Sequence, residues 1–187
     1  MRERFGIRRR RWALAVDTRK CINCRACIVA CKAENFVPIG HSRNRINEEH
    51  GGEWPTLRAS FEPEQCHHCT NPSCVRVCPT GASYQRGDGL VLVETDDCIG
   101  CGYCIIACPY DARYFNEETR VVDKCTMCAH RVDAGREPAC VETCPARVRV
   151  FGDVSDPNSD IRKLLARRRS VVKKLQTGND PQIHYLA

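Results

Sequence analysis

Apolar residues along most of this chain come in short runs broken by turn formers, and long regular elements are absent before the tail. Ala82–Gln85 and Leu90–Glu94 flank Arg86-Gly87-Asp88-Gly89, which predicts a hairpin. Tyr114-Phe115 and Arg120–Val122, around Asn116–Thr119, predict another. Short helices are expected in segments such as Cys104–Cys108. Residues 32–65 are rich in polar residues and turn formers, including Pro38, Gly40, Gly51, Gly52 and Pro55, and read as an insertion. After Gly152 the pattern changes. Asp156-Pro157-Asn158-Ser159 starts a helix, and Ile161, Leu164, Leu165, Val171, Val172 and Leu175 recur near helical spacing. Arg162, Lys163, Arg167, Arg168, Arg169, Lys173 and Lys174 decorate it. Such a tail either covers its own domain, docks on a larger subunit or lies near an anionic membrane surface. With little apolar core elsewhere to cover, residues 153–187 are expected to pack mainly on a partner.

Sixteen cysteines interrupt this pattern in four groups. Cys21, Cys24, Cys27, Cys31 and Cys98, Cys101, Cys104, Cys108 share the spacing CxxCxxCxxxC. Cys66, Cys69, Cys74, Cys78 has a middle gap of four residues, and Cys125, Cys128, Cys140, Cys144 one of eleven. Proline follows three of the closing cysteines, at Pro79, Pro109 and Pro145, where it ends the preceding chain direction.

With 187 residues, 42% hydrophobic and 28% charged, the chain suits one domain or two small intertwined modules. Cysteine at this density means a disulfide scaffold, structural zinc or iron-sulfur clusters. Disulfide scaffolds are secreted with an export signal. Here Arg8–Arg11 are followed only by Trp12–Val16 before Asp17, too short an apolar run for a signal, and read as a solvated basic start. No stretch approaches eighteen consecutive apolar residues, so no membrane span is expected. The formal charge of +6 suggests nucleic acid but counts every cysteine as neutral. Four cubanes at about −2 each bring it to roughly −2, and the argument dissolves.

CxxCxxCxxxCP is the bacterial ferredoxin run: three cysteines wrap one cubane and the fourth, before the proline, serves the other cluster of a pair. Zinc combines two CxxC pairs instead, which the groups of three and four do not match. Four runs supply four complete sites, and cluster binding should be coupled to folding. Neighbour pairing (first run with second, third with fourth) and nested pairing (second with third, first with fourth) both satisfy every ligand. Spacing leaves both open.

From Cys21 to Gly152 the chain resembles the four-cluster ferredoxin subunit of membrane-bound molybdopterin oxidoreductases, especially polysulfide, thiosulfate and tetrathionate reductases. The resemblance rests on Cys31-Lys32-Ala33-Glu34-Asn35-Phe36-Val37-Pro38, Gln65-Cys66-His67-His68-Cys69, Cys78-Pro79-Thr80-Gly81-Ala82-Ser83-Tyr84, Cys108-Pro109-Tyr110-Asp111-Ala112-Arg113 and Pro138-Ala139-Cys140-Val141-Glu142-Thr143-Cys144-Pro145. His184-Tyr185-Leu186 also looks familial. The resemblance implies nested pairing of four [4Fe-4S] clusters. Cluster 1 takes Cys21, Cys24, Cys27 and Cys144; cluster 2 takes Cys31, Cys125, Cys128 and Cys140; cluster 3 takes Cys66, Cys69, Cys74 and Cys108; cluster 4 takes Cys78, Cys98, Cys101 and Cys104.

The implied fold is α+β, with two intertwined bacterial-ferredoxin-like modules across residues 12–152. The outer module spans 12–31 and 115–152, the inner 66–114, the insertion 32–65, and a docking tail 153–187. Function is implied to be a relay of single electrons between a molybdopterin catalytic subunit and an integral membrane quinone-reactive subunit, with no catalytic residues in this chain. An independent soluble polyferredoxin is the alternative. The expected place is the extracytoplasmic side of the inner membrane, reached by co-export, with the cytoplasmic face as alternative. His67, His68 and His130 are expected to pack or hydrogen-bond near clusters rather than ligate iron. Lys32 and Lys124, beside ligands, either raise cluster potentials or are solvated.

Overall fold

The computed structural model describes residues 10–187, so Arg8 and Arg9 of the basic start lie outside the described residues. Trp12–Val16 forms β1, which pairs antiparallel with β8 (Arg149–Asp153) and parallel with β10 (Ile183–Leu186). This short strand is apolar along its whole length because both faces are covered. Ala13 and Ala15 lie beneath Ile161 and Leu186, while Leu14 and Val16 enter the main core with Met127, Val148, Ile183 and Tyr185. Arg11 is half-buried rather than solvated: its guanidinium donates to the His68 carbonyl and to Thr70 Oγ1, each at 2.9 Å.

The remaining elements are short. Helix α1 (Ala26–Asn35) precedes a hairpin of β2 (Asn44–Gly51) and β3 (Arg58–Gln65). The insertion is therefore a regular ribbon, tied down where Asn44 Nδ2 donates to the Cys27 carbonyl at 3.0 Å. Helix α2 (Ser73–Arg76) leads to the hairpin of β4 (Ser83–Gln85) and β5 (Val91–Val93). Helix α3 (Tyr103–Ile106), which starts one residue and ends two residues before the expected bounds, leads to the hairpin of β6 (Arg113–Asn116) and β7 (Val121–Lys124). Both hairpins fall where the turn residues place them. Helices α4 (Ala129–Asp133) and α5 (Ala139–Glu142) complete the cysteine-bearing part. The fold is mixed α and β, with short helices and small sheets.

The tail departs from expectation. Helix α6 (Asp160–Arg167) starts where predicted, with Ser159 Oγ accepting from the Arg162 amide at 3.2 Å, but it does not continue to Leu175. At Arg168 the backbone turns extended, and Ser170–Val171 forms β9 against β10. The β-branched Val171 and Val172 suit that extended path better than another helical turn. Ile161, Ile183, Tyr185 and Leu186 are buried in this chain's own core. Several basic residues are pins rather than a docking face: Arg168 pairs with the buried Asp17, Lys173 with Glu62 and Glu64, and Lys174 Nζ donates to the Pro109 carbonyl.

Gly152 measures how closely the tail packs, since a Cβ there would lie 2.8 Å from Ile161 Cγ2. Gly152→Ala is expected to cost about 1–3 kcal/mol by overpacking, read as a lower midpoint in thermal unfolding of the cluster-loaded chain. No change would mean that α6 sits loosely on the sheet.

Candidate metal centres

The first and third cysteine runs curl because alternate residues take left-handed backbone. In the first run these are Asn23 and Arg25, at φ 55° and 57°; in the third they are Gly100 and Gly102, at 69° and 76°. The alternation makes a concavity whose amides face an anion. The short helices then deliver the later ligands. Cys27 and Cys31 lie on α1, Cys74 on α2, Cys104 on α3 and Cys140 on α5. The closing Cys78, Cys108 and Cys144 each donate a backbone N–H to the carbonyl three residues back, and proline then ends the turn.

Three cysteine-lined cavities lie between these elements, among the described residues. The first is lined by Cys66, Cys69, Cys74 and Cys108, the second by Cys31, Cys125, Cys128 and Cys140, and the third by Cys78, Cys98, Cys101 and Cys104. Each therefore gathers cysteines from two different runs. At a fourth place Cys21 lies near Cys27 and Cys144 at the edge of the main core, with Cys24 exposed.

The donors around these cavities fit a polynuclear sulfur cluster. Arg113 lines the first cavity and Gln65 the second, and the buried Arg113 Nη1 and Gln65 Nε2 lack a protein partner. Bridging sulfides are acceptors that would satisfy them. Backbone amides already donate to thiol sulfur: Ser83 to Cys78 at 3.3 Å, Met127 to Cys125 at 3.4 Å and Val148 to Cys144 at 3.3 Å. Burial pushes the Cys31 and Cys69 thiols up to about 12, with neighbouring cysteines adding to it. Metal binding must therefore displace their protons.

The profile of the 4Fe-4S dicluster domain matches residues 57–154, and another 4Fe-4S dicluster profile matches residues 20–82. The chain belongs to the 4Fe-4S dicluster family. A tetrathionate reductase subunit of Salmonella typhimurium is 44% identical over 97% of this chain and 74% of its own length. Another tetrathionate reductase subunit, from Archaeoglobus fulgidus, is 43% identical, covering 97% and 88%. A polysulfide reductase subunit of Wolinella succinogenes is 41% identical over 93% of each. The resemblance to iron-sulfur subunits of molybdopterin oxidoreductases holds, and the sixteen cysteines of this dicluster protein fit four [4Fe-4S] clusters. It is a non-catalytic electron-transfer subunit of a multi-subunit reductase complex. None of its described helices is long and apolar enough to cross a membrane.

In this dicluster subunit the histidines pack as expected. His67 stacks on Tyr110 with ring centroids 3.9 Å apart, and His68 Nδ1 accepts from the Val91 amide at 3.0 Å. His68 is fully buried, which pushes its pKa well below the usual histidine value. His130 contacts Glu34 at 2.7 Å on the surface. Neither lysine is a free solvated charge. Lys124 is 1% exposed, its ammonium donating to the Val91 and Cys125 carbonyls. Lys32 Nζ donates to the Pro38 and His41 carbonyls at 2.8 and 2.6 Å.

Sequence reasoning passed over two buried arginines. Arg113 Nη2 donates to Cys74 Sγ at 3.0 Å and to Ser83 Oγ at 2.7 Å. Arg149 donates to Cys27 Sγ at 3.7 Å, Cys140 Sγ at 3.9 Å and Gln65 Oε1 at 2.7 Å. One signal was present: each stands five residues after a closing cysteine, Cys108 or Cys144.

Proposed function

We propose that the chain holds four nested [4Fe-4S] clusters and passes single electrons between a molybdopterin catalytic subunit and an integral membrane quinone-reactive subunit. The clusters supply one-electron redox chemistry. The protein supplies their order, burial and hydrogen bonding. In this reading cluster 1 takes Cys21, Cys24, Cys27 and Cys144, and clusters 2, 3 and 4 take the cysteines lining the second, first and third cavities. The observation that carries it is the gathering of four cysteines from two runs at each cavity; neighbour pairing would put Cys31, not Cys108, beside Cys66, Cys69 and Cys74. Order along the chain of sites also supports a relay. Cys140 lies near Cys27, Cys125 near Cys66, and Cys104 near Cys74, which strings the sets as 1, 2, 3, 4. At the two ends Cys24 and Cys101 are exposed, beside exposed Ile22 and Val29 at one and Ile99, Tyr103 and Ile106 at the other. Two such apolar ends suit two fixed partners better than a freely diffusing carrier. The complex is placed, within this proposal, on the extracytoplasmic face of the inner membrane.

Anaerobic analysis of the full chain is expected to find about sixteen irons and sixteen sulfides, four of each per cubane. Cys144→Ser is expected to perturb the spectrum of the cluster held by Cys21, Cys24 and Cys27, more than a hundred residues away in sequence. A folded preparation with zinc and little iron would remove the cluster reading, and a perturbed Cys98 cluster would reverse the pairing. Protease accessibility in spheroplasts tests the side of the membrane.

A further inference from the structure

Among the described residues, Arg113, Arg131 and Arg149 are buried and Arg43 is partly buried in the cysteine-bearing part of the fold, and these arginines find two kinds of partner. Arg131 pairs with Glu34 and Glu142, and Arg43 pairs with Asp123. Arg113 and Arg149 are different. They are 4% and 3% exposed, and among the described residues their hydrogen bonds go to sulfur and to the neutral side chains of Ser83 and Gln65, with no carboxylate. Both occupy the first position of the strand that follows a closing cysteine, in β6 and β8.

Their placement repeats between the two halves of the fold. Arg149 reaches Cys27 of the first set and Cys140 of the second. Arg113 reaches Cys74 of the third set and interacts with Cys104 of the fourth. Each guanidinium thus lies between two sites of one cysteine-run pair. Building on the nested reading above, we propose that Arg113 and Arg149 are a matched pair of potential-setting residues, each holding up the reduction midpoints of the two clusters it bridges. One electron taken up by a four-thiolate cubane moves its charge from about −2 to about −3 with no proton required. A buried cation stabilises the more negative state, so it favours reduction. Charge shared between two adjacent clusters also keeps their midpoints from drifting apart, which suits a relay.

The test is an anaerobic redox titration of the full chain followed by electron paramagnetic resonance, with iron and sulfide measured on the same samples. Arg149→Gln keeps a donor and removes the charge. At fixed poise it should lower the reduced-to-oxidised ratio of two clusters by roughly tenfold or more, equivalent to 59 mV for one electron. Arg113→Gln should do the same to the other two, and the Lys variants, which keep the charge, should recover most of the loss. Unchanged midpoints in fully loaded Gln variants overturn the proposal. So does an equal fall in the Lys variants. Loss of clusters from the Gln variants assigns the arginines to cluster retention alone and overturns it as well. Failure of the cluster reading itself would look different, because the unmodified chain would then lack iron and sulfide.

Discussion

Stripping the iron is expected to unfold this protein rather than leave an empty copy of the same shape. Among the described residues, nine of the 28 buried apolar ones are cysteines, so much of the interior is built from the walls of the cluster sites. Arg113 and Arg149 make the loss worse. Without thiolates and sulfides beside them they are buried cations with no carboxylate partner, each costing about 3–5 kcal/mol. Together they rival the entire stability of an ordinary domain, about 5–15 kcal/mol. Treatment with a chelator and reductant should therefore abolish near-ultraviolet circular dichroism and open the chain to protease along with the loss of brown colour. An iron-free chain that stays compact and protease-resistant would show that the hydrophobic core alone specifies the fold.

Truncation after Gly152 should be nearly as damaging. It removes Ile161, Ile183, Tyr185 and Leu186, all buried, each contributing about 1.5–3 kcal/mol. It also strips β1 of its parallel partner, β10. The loss reaches the first cavity directly. Asn179, which lines it, accepts from the Ser73 amide at 2.9 Å, and the carbonyls of Asn179 and Asp180 accept from the Asn71 and Thr70 amides at 3.0 and 2.8 Å. The truncated chain should lose iron from the Cys66, Cys69, Cys74 and Cys108 set first and aggregate on expression. Full iron content in a soluble truncated chain would make the tail an appendage after all and return the docking reading.

Local features were legible from residue order, and long-range ones were not. Turn residues placed the hairpins around Arg86–Gly89 and Asn116–Thr119 within a residue or two, because such turns are decided by a few adjacent backbone angles. The α6 start was likewise visible in Ser159. The destination of the tail was not, because parallel pairing of Ile183 with Leu14 joins segments far apart in sequence. A five-residue apolar strand carries no mark of its partner. The chemistry of the sixteen cysteines was plain from spacing, but their grouping came from family resemblance, since ligand counting is satisfied either way. Arg113 and Arg149 escaped because a cation in sequence reads as surface until a counter-charge is seen, and here that counter-charge belongs to the sulfur sites.

The parallel pairing of β1 with β10 also constrains how the protein can be made. Trp12–Val16 leaves the ribosome long before its neighbour, which is not complete until Leu186 has been translated. Until then an inner strand of the four-stranded sheet stands with one edge open, an invitation to non-native pairing. The cysteines of the second and third runs, by contrast, are all translated by residue 108. On the nested pairing proposed above, the ligands of the two central sites are thus present early, whereas the Asn179 contact at the first cavity and the closure of the sheet both wait for the tail. A nascent polypeptide stalled before Ile183 would remain a natural client for chaperones that shield strand edges.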